Sequence, residues 1–170
     1  MPYAVAEIDA MDAAGFRAAF GSVVEHSPWV ADAAHRRAPF GSAAGLGLAF
    51  TAAIREAGGE QRMQLLRAHP ELAGREAQAG ELTEASLEEQ RSARLDRLSP
   101  AQLADLREIN AAYRERFGFP FISCVREHSV ASLLIWGRAR LEREPDAEAR
   151  TALAEVDKIV GLRLQALVGG

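Results

Sequence analysis

The chain has 170 residues, 48% of them hydrophobic and 26% charged, with a formal net charge of −4. That length suits one domain, residues 1–170, able to bury roughly 70% of the surface its unfolded chain exposes. The composition excludes general disorder. A net negative charge, with every basic residue except Lys158 an arginine scattered among acids, argues against a nucleic-acid partner.

One cysteine, Cys124, excludes an internal disulfide and fits a reducing compartment. The N-terminal stretch carries acids where a secretion signal needs a basic region. The longest apolar run, residues 43–54, is about a dozen residues, too short to span a bilayer. "LVGG" at the C-terminus matches neither a peroxisomal nor an ER-retention signal. The expectation is a cytoplasmic protein with no membrane partner.

Read in chain order, the sequence predicts an all-α bundle of about seven to nine helices with one extended segment near 119–125. Asp12 is placed to cap a first short helix reaching Val24. Pro28 and Pro39 limit residues 26–42 to one or two short turns. Ser42 can cap the next helix, which Gly58 and Gly59 end. A short helix over 60–68 stops at His69, because the proline that follows disfavours the α-region there. Residues 71–82 read as an irregular loop, and a helical signal returns from Thr83 to Leu98.

The clearest helix begins after Ser99, with Pro100 at its first position and Gly118 at its end. Its Leu103, Leu106, Asn110, Tyr113 and Phe117 share one face, so a single polar residue interrupts an apolar stripe. "FPFISCV" (119–125) has the only β character. Ser129 opens a helix through about Arg143, and a last helix follows Pro145 to about Leu167. No repeat or linker is visible.

Three constellations carry possible chemistry, each with a plainer reading. Ser86, Glu89 and Gln90 fall on one helical face, yet Ser-x-x-Glu is also a capping box on a solvated helix. Arg163 borders the apolar stripe of Val156, Ile159, Val160, Leu164 and Leu167. It can snorkel or pair with a carboxylate, or it can offer a planar fork to a ligand. "FGFPFISC" (117–124) is either a core-plugging connector or a rigid segment whose backbone groups face a ligand, since an extended stretch without a sheet must satisfy them somehow.

The four histidines, His26, His35, His69 and His128, match no zinc spacing, so no metal is expected. Cys124 lies in an apolar segment, which favours packing over nucleophilic chemistry. "GSAAGLG" (41–47) lacks the lysine and the preceding strand of a phosphate loop.

Taken in order, "HPELAG", "SLEEQ", "INAAYRERFGFPFISCV" and "EVDKIVGLRLQAL" resemble the OHCU decarboxylase family, over about residues 8–168. The resemblance implies an all-α fold, a homodimer, and a reaction that needs no cofactor. The implied reaction is decarboxylation of 2-oxo-4-hydroxy-4-carboxy-5-ureidoimidazoline (OHCU) to (S)-allantoin in purine and urate catabolism. It implies His69 as the catalytic histidine with Glu89 beside it. Substrate binding would fall to Pro70, Ser86, Gln90 and Arg163, with the backbone of Phe121, Ile122, Ser123, Cys124 and Val125 lining the site and Phe119 and Phe121 excluding water.

One departure stands out: similar sequences often carry Ala-Gly-Leu where this chain has Ala93-Arg94-Leu95, a position expected to face solvent. Two other readings stay open, a non-catalytic helical module that binds a partner or a small ureido or purine-like ligand, and a different reaction on the same scaffold. Convergence of His69, Glu89, Gln90 and Arg163 on one pocket would favour the enzyme.

Overall fold

The computed structural model describes residues 1–169. Ten α-helices form among them: α1 (Val5–Asp9), α2 (Ala13–Phe20), α3 (Trp29–His35), α4 (Ala43–Arg55), α5 (Gly59–Ala68), α6 (Arg75–Ala79), α7 (Glu84–Ser92), α8 (Pro100–Phe117), α9 (Val130–Leu141) and α10 (Pro145–Leu167). Two 3-10 turns, Leu95–Arg97 and Val125–Glu127, complete the list. Among the described residues no strand forms, and a single bridge joins Tyr3 to Val168. The all-α expectation holds.

The helix count exceeds the predicted range because α1 and α6 are five residues each. One turn and a half leaves no hydrophobic period to read. Thus α6 lies inside the stretch expected to be an irregular loop, and α3 makes two turns between the prolines. Gly59, expected to end α4, instead begins α5.

Several caps fall where the sequence places them. Asp12 Oδ1 accepts from Gly15 N at 2.7 Å, Ser42 Oγ from Gly45 N at 2.9 Å, and Ser129 Oγ from Ser132 N at 3.1 Å. Ser99 and Gln102 form a reciprocal capping box. Gly118 closes α8 at φ +78°, a left-handed conformation that glycine adopts without steric cost.

The described chain falls into two compact units. The first comprises residues 1–65 and 157–169. Here α3 packs on α2 and α4, and fully buried Phe16 meets Phe20 at a ring-centroid distance of 4.8 Å, His35 at 5.1 Å and Phe50 at 6.3 Å. Tyr3 N donates to Leu167 O at 2.8 Å, and Gly169 N donates back to Tyr3 O at 3.0 Å, which ties the first residues to the end of α10.

The second unit, residues 66–156, contains the motifs. In it α8 packs on α9, and α7 packs on both 3-10 turns. The α8–α9 approach is close: a methyl group at Gly137 would lie 3.1 Å from Ile109 and 3.2 Å from Phe121. Tyr113, Phe117, Phe119 and Phe121 form an aromatic cluster, with centroids 5.1 Å apart for Tyr113–Phe117 and 5.2 Å for Tyr113–Phe121. The buried stripe of α8 is Leu106, Ile109, Asn110, Tyr113 and Phe117, with Leu103 only half-buried.

Candidate active site

Helix α5 stops at Ala68, and the chain turns through His69, which is half-buried, and Pro70, which is buried. The turn that follows is fastened from three helices. Ala73 N donates to Gln90 Oε1 of α7 at 3.0 Å. Leu72 O accepts from Asn110 Nδ2 of α8 at 3.5 Å, and Ala73 O accepts from Gln78 Nε2 of α6 at 3.4 Å. Glu71 pairs with Arg114 of α8 at 3.1 Å. Ala73 itself sits at φ +50°, a left-handed conformation uncommon for alanine. A non-glycine residue held there, and pinned on both its N–H and its C=O, marks a loop whose shape is imposed by its neighbours.

Helix α7 opens three residues earlier than the Ser-x-x-Glu pattern suggests. Thr83 is its N-cap, accepting from Ser86 N at 3.3 Å, so Ser86 is an interior residue and no capping box forms between Ser86 and Glu89. The solvated-face reading also fails. Ser86, Glu89 and Gln90 are 4%, 9% and 7% exposed, and polar groups that deeply placed are seldom accidental. They form one inward face, and through Gln90 that face reaches the loop after His69.

The extended segment is wholly buried from Phe119 through Val125. The connector reading holds, and the backbone of the segment finds its partners within the fold. Its phenylalanines plug the core, while its backbone groups are taken up by side chains from three helices. Phe121 N donates to Asn110 Oδ1 of α8 at 3.1 Å. Ile122 O accepts from Arg140 Nη1 of α9 at 2.7 Å. Cys124 N donates to Glu155 Oε2 of α10 at 2.7 Å, and Ser123 Oγ donates to the same oxygen at 3.3 Å. Arg140 is itself fully buried. It lies over the rings of Phe121 and Trp136 at 5.1 and 5.6 Å and is paired with Glu148. Burial pushes the Tyr113 phenol well above its ordinary range, so it stays protonated and donates to Glu148.

A family model described as OHCU decarboxylase matches residues 9–165. This chain belongs to the OHCU decarboxylase family. A Haloferax volcanii protein named 2-oxo-4-hydroxy-4-carboxy-5-ureidoimidazoline decarboxylase is 42% identical over 158 residues, which cover 93% of this chain and 92% of that protein. The Mus musculus protein of the same name is 40% identical over 163 residues, covering 96% and 92%. Among solved structures, a crystal structure of (S)-allantoin synthase matches with a TM-score of 0.78 at 27% identity. It covers 99% of this chain, which spans 54% of that molecule's length.

Within this OHCU decarboxylase family chain, the second unit brings together the His69–Pro70 loop and α7 through Gln90, and the loop and the extended segment through Asn110. Arg163 belongs to the first unit. It is 6% exposed and its Nη1 donates to Val23 O at 2.9 Å, so the guanidinium is buried and bonded to backbone. A groove of about 760 Å3 is lined by Glu71, Ala73, Arg75, Glu76, Arg107 and Arg114 among others, so the loop forms part of its wall. None of His69, Ser86, Glu89 or Gln90 lines it.

Asn110 was visible in the sequence as the polar break in an apolar stripe, without a role. Arg140, Glu148 and Glu155 went unread. Glu148 and Glu155 are seven residues apart, on one face of α10 with Ala152 and Val156, and that spacing was the available signal.

Proposed function

We propose that the protein decarboxylates 2-oxo-4-hydroxy-4-carboxy-5-ureidoimidazoline to (S)-allantoin, in the degradation of urate. The observation that carries this reading is the family match over 9–165, with relatives of that name at about 40% identity along nearly the whole chain. The buried face of Ser86, Glu89 and Gln90, joined to the loop after His69, supports it.

The substrate supplies its own electron sink. When the C–C bond to the carboxylate breaks, its electron pair passes toward the adjacent C=N and CO2 departs. The nitrogen of that C=N takes a proton as the pair reaches it, the hydroxyl-bearing carbon becomes a carbonyl as its O–H proton is lost, and the neighbouring ring carbon takes a proton on one face. One proton is consumed overall. The reaction as written calls for no cofactor. The protein's tasks are to orient the ring, balance charge and direct one proton transfer.

In this proposal His69 moves a proton at the substrate's hydroxyl or ring, because an imidazole titrates near neutral pH. Glu89 orients His69 and accepts from the ureido or ring N–H groups. Gln90, whose Oε1 is occupied by Ala73 N–H, meets the substrate as a donor through its amide nitrogen. Ser86 adds a neutral hydroxyl, Pro70 a rigid wall, and the backbone of Phe121 to Val125 the remaining polar lining, with Phe119 and Phe121 side chains keeping water out. Arg163 enters from its place in the motif alone, as a guanidinium for carbonyl oxygens or developing negative charge. The chain is proposed to act as one domain, in a homodimer, in the cytoplasm. No helix among the described residues is long and apolar enough to cross a membrane.

The test supplies freshly generated OHCU and follows allantoin by circular dichroism. The expected result is rapid formation of one enantiomer. A time course identical to the spontaneous, racemic decay would overturn the reading. Sedimentation of the purified chain tests the dimer.

A further inference from the structure

We propose that Asn110 is a positioning residue for this reaction: its buried amide locks the loop after His69–Pro70 and the backbone of Phe121 into one register. The inference rests on the functional reading above and adds a residue to it. Asn110 is 1% exposed, in the middle of the 18-residue helix α8. Its Oδ1 accepts from Phe121 N at 3.1 Å and its Nδ2 faces Leu72 O at 3.5 Å. The orientation of the amide is dictated, because a backbone N–H only donates and a backbone C=O only accepts.

For packing alone, leucine would serve this stripe better. Asparagine is a poorer helix former, and burying an amide is costly unless it is bonded. What leucine lacks is a donor and an acceptor on one rigid group about 2 Å across. Leu72 lies three residues beyond His69, and Phe121 opens the run of backbone proposed to line the substrate. Both are therefore held against a single side chain of a single helix. Gln90 fastens the same loop to α7 one residue further on, so Asn110 adds the link to the extended segment that Gln90 does not make. An acid/base group must hold its place to well under an ångström, since a displacement of about 1 Å is able to cost a hundredfold in rate.

The experiment compares the purified full chain with Asn110→Asp and Asn110→Ser on freshly generated OHCU. It uses Ile109→Ala as a control for lost packing, and records kcat, KM and melting temperature from about pH 6 to about pH 9. Ionised aspartate keeps an acceptor for Phe121 N–H and loses the donor toward Leu72 O; the protonated acid regains an O–H donor. The expected result for Asn110→Asp at high pH is a kcat on the order of tenfold to a hundredfold lower, with KM nearly unchanged. Its kcat relative to wild type then recovers as the pH falls, because burial raises a carboxyl's pKa. Ile109→Ala loses melting temperature while keeping kcat.

Folded Asn110 variants with wild-type kcat at every pH would overturn the proposal. So would losses that track melting temperature as in Ile109→Ala, or failure of both variants to fold, each of which reduces Asn110 to a core residue. A wild type inactive on OHCU overturns the functional reading itself, and this proposal with it. That outcome is seen without any variant.

Discussion

The Arg140 guanidinium holds Glu148 Oε1 at 2.5 Å, and neither side chain has any exposed surface. Tyr113 bonds the same oxygen at 3.1 Å and Arg140 Nε bonds it too, while Arg140 spends its third nitrogen on Ile122 O. Taking two charges out of water is expensive, and removing one partner strands the other. Glu148→Gln and Arg140→Met are each expected to cost about 3–5 kcal/mol in urea-induced unfolding. A double variant with methionine at both positions should lose less than the two single losses combined. Strict additivity would mean that the two groups do not interact.

His69 and Glu89 carry the proposed chemistry, so their variants should separate rate from folding. His69→Ala is expected to lower kcat by roughly two orders of magnitude or more, with an unchanged melting temperature within a few degrees. Glu89→Gln keeps the shape and removes the charge, and should lower kcat while the fold persists. Near-full turnover in His69→Ala would remove the histidine from proton transfer.

Arg94 sits at φ +60° with its side chain exposed, in the left-handed region that an L-residue enters at a cost. Glycine adopts that backbone without steric cost, so arginine there carries a conformational one. Arg94→Gly is expected to stabilise the chain by about 1 kcal/mol, read as a higher denaturation midpoint at unchanged slope. No gain would show that contacts of the arginine side chain offset the strain.

Asp157 gives a pH dependence with a definite sign. Burial pushes its carboxyl up from the ordinary value of 3.8, and neither the Arg55 guanidinium 3.7 Å away nor the bond to Thr51 cancels that effect. Its Oδ1 lacks a hydrogen-bond partner. An acid whose folded-state pKa is raised binds its proton more tightly when folded, so it favours the fold at low pH. It loses that contribution as pH climbs from about the unfolded value through the folded one. Asp157→Asn should therefore gain melting temperature relative to wild type as pH rises from about 4 to about 7. A difference that stays constant across that window would contradict the assignment.

Much of this was legible because several local signals agreed. Around α8 the N-cap serine, the proline at the first position and the closing glycine all marked the same limits, and Ser42 and Ser129 were equally plain. Around α7 the helical signal from Thr83 was right, although Thr83-x-x-Ser86 and Ser86-x-x-Glu89 both look like helix starts and only the tertiary fold chooses between them. From the pattern alone Glu89 and Gln90 fit a solvated face as well as a site, because burial of a polar side chain depends on what packs above it. Arg140 carries no local signal beyond that of a basic residue in the last turn of a helix. Its role depends on Glu148, which reaches it only after the chain has turned at Pro145.

The stretch from Phe121 to Cys124 has no neighbouring strand, yet side chains of α8, α9 and α10 each supply the partner that a strand's backbone would have given. Amide exchange ought to reveal this. The Phe121 and Cys124 N–H groups should exchange as slowly as those of the buried helix interiors, opening only when the surrounding helices do. An irregular segment would then show the protection of a central strand and be as unyielding as one.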